Sequence, residues 1–346
     1  MASRGAATKA NEAAALLQRA KPGVKPRQRL TTKPAGTKGS KPSSSSPWQN
    51  VHHAQKASVP VQGSPMSPRL MTIFGVSIIG IGTYCGYLYS SYRQAVVQSQ
   101  TMQTPTDVSD RYDKTAPGYD DEVALGEWFM GLGKRRKELI RVARGDVLEV
   151  SCGTGRNMHY YQLGEKRGLD EQGHSEVQGC RSVTFVDLSA PMVEIARQKF
   201  RSLYPGFEQA AFRTDDARTM MVPSTTAITL PENQTEWRYR RPHFDTVLET
   251  MGLCSTPDPV GLLRHLGSIT EPKRGRILLL EHGRSDYEWV NTILDNLASL
   301  HADRHGCWWN RDIGRIVEES GLEVVEIKRY HLGTTWRVVL RPVNRD

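Results

Sequence analysis

Residues 147–157 read Val-Leu-Glu-Val-Ser-Cys-Gly-Thr-Gly-Arg-Asn, an apolar strand entering a turn of small residues and then a helix start. Gly153 and Gly155 carry no side chain, so the backbone of that turn can approach a nucleoside cofactor closely. A second apolar run, Val183-Thr-Phe-Val-Asp187, ends on a carboxylate. An acid there suits a ribose diol, because one carboxylate can accept from both hydroxyls. His282, in Glu281-His282-Gly283, is the candidate general base, since imidazole titrates near neutrality; a plain core or surface histidine is the alternative. Five cysteines (Cys85, Cys152, Cys180, Cys254, Cys307) are scattered with no C-x-x-C, so neither a disulfide framework nor a metal site is expected.

The elements that must position these groups follow from hydrophobic periodicity. Strands are expected at 147–150, 183–187, 211–214, 246–249, 277–281, 323–330 and 336–341. Helical patterns lie between most of them, at 191–200, 259–270 and 313–320 among others. Strands alternating with helices imply a Rossmann-like, doubly wound α/β fold with a mostly parallel seven-stranded sheet. Only residues 331–335 separate the last two strands, which reads as a C-terminal antiparallel edge hairpin. The polar stretches 164–180 and 223–242 read as surface insertions, the Arg-Tyr-Arg-Arg run of the second as solvated loop.

The net charge of +9 over 346 residues is unevenly placed. Residues 1–69 hold 12 of the 46 Lys/Arg and one of the 37 Asp/Glu, so the remainder is slightly acidic. A nucleic-acid partner, which wants a basic face on the folded domain, is not expected. The leader is too polar and proline-rich to repay the entropy of folding, apart from a short helix near 12–19, and its Arg-, Ser- and Ala-rich composition suits a mitochondrial targeting segment. Residues 70–92 follow as 23 uncharged residues between Arg69 and Arg93, enough to span a bilayer as one helix. Its tyrosines cluster at one end as an interfacial belt would, and Gly82 and Gly86 offer a packing face for a membrane-protein partner. Residues 93–107 read as a linker and 108–346 as the globular domain. The positive-inside bias puts the leader in the matrix and the domain in the intermembrane space of a single-pass inner-membrane protein.

Further motifs carry a resemblance. Asp215-Asp216-Ala217 follows the third strand, and Phe244-Asp-Thr-Val-Leu-Glu-Thr-Met-Gly-Leu-Cys-Ser255 covers the fourth. Upstream stands Arg111-Tyr112-Asp113-Lys114-Thr-Ala-Pro-Gly-Tyr119-Asp120. With Glu149 to Gly155 and Asp187-Leu188, these make residues from about 108 to 342 resemble the class I S-adenosylmethionine-dependent methyltransferases, most similar to the ubiquinone/menaquinone-biosynthesis type. The combination of leader, single span and domain resembles the fungal mitochondrial inner-membrane methyltransferases of the Oms type. The usual first motif has glycine where Ser151 stands. A dinucleotide fold would want a third glycine where Met158 stands; S-adenosylmethionine has no phosphate and lifts that constraint.

The resemblance implies S-adenosylmethionine as methyl donor and assigns roles residue by residue. Glu149 would face the amino group of the methionine part, directly or through water. The backbone at Ser151, Gly153 and Gly155 would wrap the methionine and ribose. Asp187 would hold the ribose hydroxyls and Leu188 pack near the adenine. Asp216 would accept from the adenine amine beside the Ala217 amide, with Asp215 taking that part if the register slips by one. Thr250 and Met251 would floor the cofactor, and Tyr112 and Tyr119 would lid it. Trp289, Ile293, Leu297 and Leu300, with Trp308 and Trp309 nearby, read as an apolar acceptor pocket or as simple core. The expected activity is in-line methyl transfer to a small or lipophilic acceptor. A membrane-tethered assembly factor that keeps the fold, and an RNA or protein methyltransferase, are the competing readings.

Overall fold

The computed structural model describes residues 67–169, 175–220 and 243–343. The leader segment with the helix expected at 12–19, and the 223–242 insertion with its Arg-Tyr-Arg-Arg run, lie outside the described residues. The described residues fall into two compact units that part after Tyr92.

Helix α1 (Pro68–Thr101) is 34 residues long, and its apolar stretch is not buried against protein. It runs past the expected span because residues 93–101 hold neither Gly nor Pro, and Gln, Arg and Ala propagate a helix well. Among the described residues, nothing lies within 4 Å of a Cβ built on Gly82 or Gly86.

The larger unit is built on β1 (Gly145–Val150), β4 (Cys180–Asp187), β5 (Ala210–Thr214), β6 (Thr246–Thr250), β7 (Arg276–His282), β8 (Glu323–Tyr330) and β9 (Thr335–Arg341). They form one sheet in the order β5-β4-β1-β6-β7-β9-β8. The five strands from β5 to β7 are parallel, and β9 runs antiparallel to both β7 and β8. The hairpin thus closes the C-terminal end of the sheet, with β8 outermost. The insertion expected at 164–180 holds a separate antiparallel pair, β2 (Lys166–Leu169) and β3 (Ser175–Gln178).

Alternation along the strands sorts side chains to two faces. Leu148, Val150, Val247, Ile277 and Leu279 join one core with α6 (Pro259–Ile269) and α9 (Ile313–Ser320). Val147, Phe185, Leu248, Leu278 and Leu280 join the other with α4 (Leu132–Ile140) and α5 (Ala190–Leu203). Capping sets where these helices start: the side chains of Ser189, Asp258 and Asp312 accept from the backbone N–H of Met192, Gly261 and Arg315. Pro191 and Pro259 sit in first turns, where a missing N–H costs nothing.

From β1 the chain winds out to β4 and β5, then returns to lay β6 against the other side of β1. Connections leave β1 in opposite directions there, which opens a crevice beyond the carboxyl ends of β1 and β6. The polypeptide before β1 covers that side with α2 (Arg111–Thr115), a 3-10 turn (Ala116–Gly118) and α3 (Tyr119–Phe129). Leu125, Trp128 and Phe129 lie three and four apart on α3 and are strongly exposed.

Candidate active site

The cleft at the switch point is lined by Ser151, Cys152, Gly153 and Thr154 after β1, Asp187 and Leu188 after β4, and Asp215 to Arg218 after β5. Thr250, Met251 and Gly252 after β6 complete its floor, and Tyr112 and Tyr119 its cover. Nine of the expected site residues therefore meet at one place: Ser151, Gly153, Asp187, Leu188, Asp216, Ala217, Thr250, Tyr112 and Tyr119.

The turn after β1 bends through two left-handed residues, Ser151 at φ 50° and Gly153 at φ 52°. Ser151 keeps this conformation against Gly252, where a Cβ would come within 2.4 Å of the Ser151 Oγ. A serine takes the family's glycine place because the facing residue gives up its own side chain. Asp187 fastens the turn: Gly153 N–H donates to Oδ2 (2.8 Å) and Ser189 N–H to Oδ1 (2.9 Å). Burial pushes the Asp187 carboxyl up, while these two N–H groups pull it back toward ionisation. Each oxygen keeps a lone pair for a further donor in the cleft.

Three expected residues lie outside this lining. Glu149 does not line the cleft. Its side chain points to the face opposite Leu148 and Val150, where Tyr161 Oη donates to Oε2 (2.5 Å) and Asn157 Nδ2 to Oε1 (2.9 Å). It acts on the cleft through Asn157, which does line it. Gly155 also lies behind the wall. Its φ of 79° and the Met158 sulfur, 2.5 Å from where a Cβ would sit, make it a packing glycine rather than a cofactor contact. His282 is half-buried and does not line the cleft; its Nε2 lies 2.6 Å from the Cys307 Sγ. The Trp289 to Leu300 stripe and Trp308 and Trp309 are likewise absent from the lining. Trp289 is 60% exposed, and Trp309 stacks on His301. These side chains sit on α7 (Glu288–Asn296), α8 (Ala298–His305) and the loop after it.

Asp216 reaches the cleft with its carboxylate already held by Arg218, Nη2 to Oδ2 at 2.7 Å and Nε to Oδ1 at 3.0 Å. That pairing holds its carboxyl below the usual range. The lid is neutral: burial raises the Tyr119 phenol to about 12 and lifts Tyr112 well above its ordinary value. Tyr112 Oη and Ser255 Oγ lie 2.9 Å apart and share a proton-bearing contact at the cleft's edge.

Arg136 carries no motif signal, yet it is buried on α4 and lines the cleft. One Nη donates to Asn157 Oδ1 (3.0 Å) and Thr250 Oγ1 (2.8 Å), the other to Glu127 Oε1 (2.8 Å). Its Nε has no partner among the described residues. Glu127 also receives Arg156 (2.6 Å), and Arg156 and Lys199 both hold Asp120. This ion-pair network ties α3 to the turn after β1, with Thr154 Oγ1 donating to Asp120 Oδ1 as well. Burial pushes the Glu127 and Asp120 carboxyls up, but their cationic partners outweigh it and hold both below the usual range.

Burial drives Glu149 the other way, from 4.5 to about 7, against its two hydrogen bonds. The folded chain keeps that proton where the unfolded chain has lost it, so stability falls as pH rises through this window. Glu249 is raised in the same direction and adds to the fall. Glu149→Gln is expected to make the decline shallower, read as urea midpoints at a series of pH values. An unchanged slope would remove Glu149 from this account.

Sheet order, switch-point crevice and small-residue turn together define the class, an α/β fold built to hold a nucleoside-bearing ligand. Residues 126–327 match the family described as "Methyltransferase domain", and the chain belongs to that family. It is 40% identical over 235 residues to "Methyltransferase OMS1, mitochondrial" of Saccharomyces cerevisiae (strain ATCC 204508 / S288c), an alignment covering 68% of this chain. The chain spans 46% of that relative's length. Among solved structures it resembles a DhpI–SAH complex (TM-score 0.44, 17% identity, covering 69% of this chain and 97% of that one). It also resembles magnesium protoporphyrin IX methyltransferase of Synechocystis PCC 6803 with bound SAH (TM-score 0.36, 16% identity, 74% and 96%).

Proposed function

We propose that this chain is a membrane-anchored S-adenosylmethionine-dependent methyltransferase that methylates a small, lipophilic acceptor. The observation that carries the reading is Asp187, a buried carboxylate at the end of β4 whose two backbone bonds shape the adjacent turn and whose remaining lone pairs face the cleft.

The residues fit the donor. Asp187 would accept from the ribose hydroxyls, and Leu188 and Met192 would flank the base. Arg136, with an unused Nε, would bind the carboxylate of the methionine part, and Thr250 and Met251 would floor it. The donor supplies a methyl carbon already activated on a sulfonium. What the chain contributes is alignment of the acceptor behind that carbon and exclusion of water. Neutral Tyr112 and Tyr119 give the cover hydroxyls that orient an acceptor without competing as nucleophiles. Exposed Leu125, Trp128 and Phe129 offer apolar surface close in sequence to that cover, which supports a lipophilic acceptor.

The bilayer contact falls to residues 70–92. The basic leader and the mitochondrial relative support the mitochondrial inner membrane, with the leader in the matrix and the domain in the intermembrane space. Calorimetry of the detergent-purified full chain is expected to show saturable one-to-one binding of S-adenosylmethionine. Transfer of labelled methyl to a component of a mitochondrial lipid extract should follow. A folded chain that binds no donor would overturn the reading in favour of an assembly factor. Release of the chain by alkaline carbonate would remove the anchor.

A further inference from the structure

Spacing argues against a metal site, but the fold brings Cys254, His282 and Cys307 together. The Cys254 Sγ, an imidazole nitrogen of His282 and the Cys307 Sγ all lie within 4.8 Å of one another. They come from three separate places: the loop after β6, the last residue of β7, and the turn after α8. Both cysteines are buried, at 1% and 4% exposure. Buried thiols and an imidazole converging from distant segments are the donor set that borderline-soft divalent cations select.

Two charged side chains lie near this cluster. Glu281 is fully buried beside Cys254, and its Oε2 has no partner among the described residues. Arg311 donates Nε to the Cys254 carbonyl (3.1 Å) and Nη2 to the Thr256 carbonyl (2.7 Å), bringing a guanidinium to the same place. A buried carboxylate costs free energy unless positive charge lies near it.

We propose that Cys254, His282 and Cys307 bind a zinc ion through these three side chains. Two thiolates carry two negative charges and the ion two positive. The buried group is then neutral. Binding releases the two thiol protons to solvent, and no bond to carbon or change of oxidation state is involved. The site would clip the loop after β6 to the end of β7 and to the segment after α8. That loop carries Ser255, the partner of Tyr112, so the ion would brace the rear wall of the cleft. The proposal stands whether or not the chain transfers methyl groups.

The test uses the full chain, without a histidine tag, purified in detergent without chelator. Elemental analysis is expected to find about one zinc per chain. Cobalt substitution should give thiolate-to-metal charge-transfer absorption and the visible bands of a tetrahedral site. Cys254→Ser, Cys307→Ser and His282→Ala should each lose the ion and those bands. His282→Cys keeps a ligand set zinc accepts and should retain it, which separates ligand loss from misfolding. Cys180→Ser, a buried cysteine remote from the cluster, should retain it too. A metal-free chain whose cysteines all alkylate stoichiometrically would overturn the proposal. So would a Cys254–Cys307 disulfide in unreduced peptides, or zinc that persists in the Cys254→Ser/Cys307→Ser double variant.

Discussion

Asp187→Ala is expected to weaken binding of S-adenosylmethionine by about 100-fold or more. Hydrogen bonds to a charged group contribute about 1.5–3 kcal/mol each, and a diol would make two of them. The same substitution frees the Gly153 and Ser189 N–H groups that the carboxylate now holds, so the turn loses its shape as well as its acceptor. The fold should survive, because removing a buried carboxylate also removes the penalty that raises its pKa. Asp187→Asn keeps one carbonyl acceptor and should fall between the two. Calorimetry on full-length wild type and both variants checks this. Alanine binding within about threefold of wild type, on the scale where 1.4 kcal/mol is tenfold, would place the ribose elsewhere.

Arg136→Met should cost about 3–5 kcal/mol of stability, because it strips a half-buried carboxylate of one of its two cations and two buried polar side chains of their shared donor. For a domain of this size each kcal/mol moves the midpoint by about 2–4 °C, so a fall of about 6–20 °C is expected. Methionine keeps the length and fills the space; what it removes is the guanidinium between Glu127, Asn157 and Thr250. Arg136→Lys should recover only part of the loss, since a single ammonium cannot reproduce the planar fork. Lys137→Met, on the exposed side of the same helix, is the control and should move the midpoint little. A midpoint for Arg136→Met equal to the control's would show that the network contributes nothing. Because Arg136 also lines the cleft, its loss should weaken donor binding beyond what destabilisation explains.

The parts of this site legible in the sequence are those whose geometry is local. Asp187 ends a strand, and a strand's carboxyl end in this fold faces the crevice whatever else the chain does. Gly153, Thr250 and Ala217 followed for the same reason. The reading failed where side-chain direction mattered. Glu149 and Leu148 are adjacent in β1, and alternation sends them to opposite faces. Which face opens to the cleft depends on what packs behind it, and Asn157 and Tyr161 had already claimed the carboxylate. His282 drew attention because imidazole titrates near neutrality, but its Nε2 turns to the Cys307 Sγ and the ring is not part of the cleft lining.

From the amino-acid order alone come the alternation of seven strands with helices, the small-residue turn, the acid closing β4 and the long uncharged run at 70–92. Each is set by residues within a few positions of one another, through steric freedom, periodicity or bulk hydrophobicity. The tertiary structure decided the rest: that Arg136 reaches the floor of the cleft, that Arg218 occupies Asp216, and that Cys254, His282 and Cys307 share one pocket. The first and last of these join residues tens of positions apart, and the energies of all three depend on burial and on competing partners. Neither quantity exists until the sheet has closed and the helices have covered it.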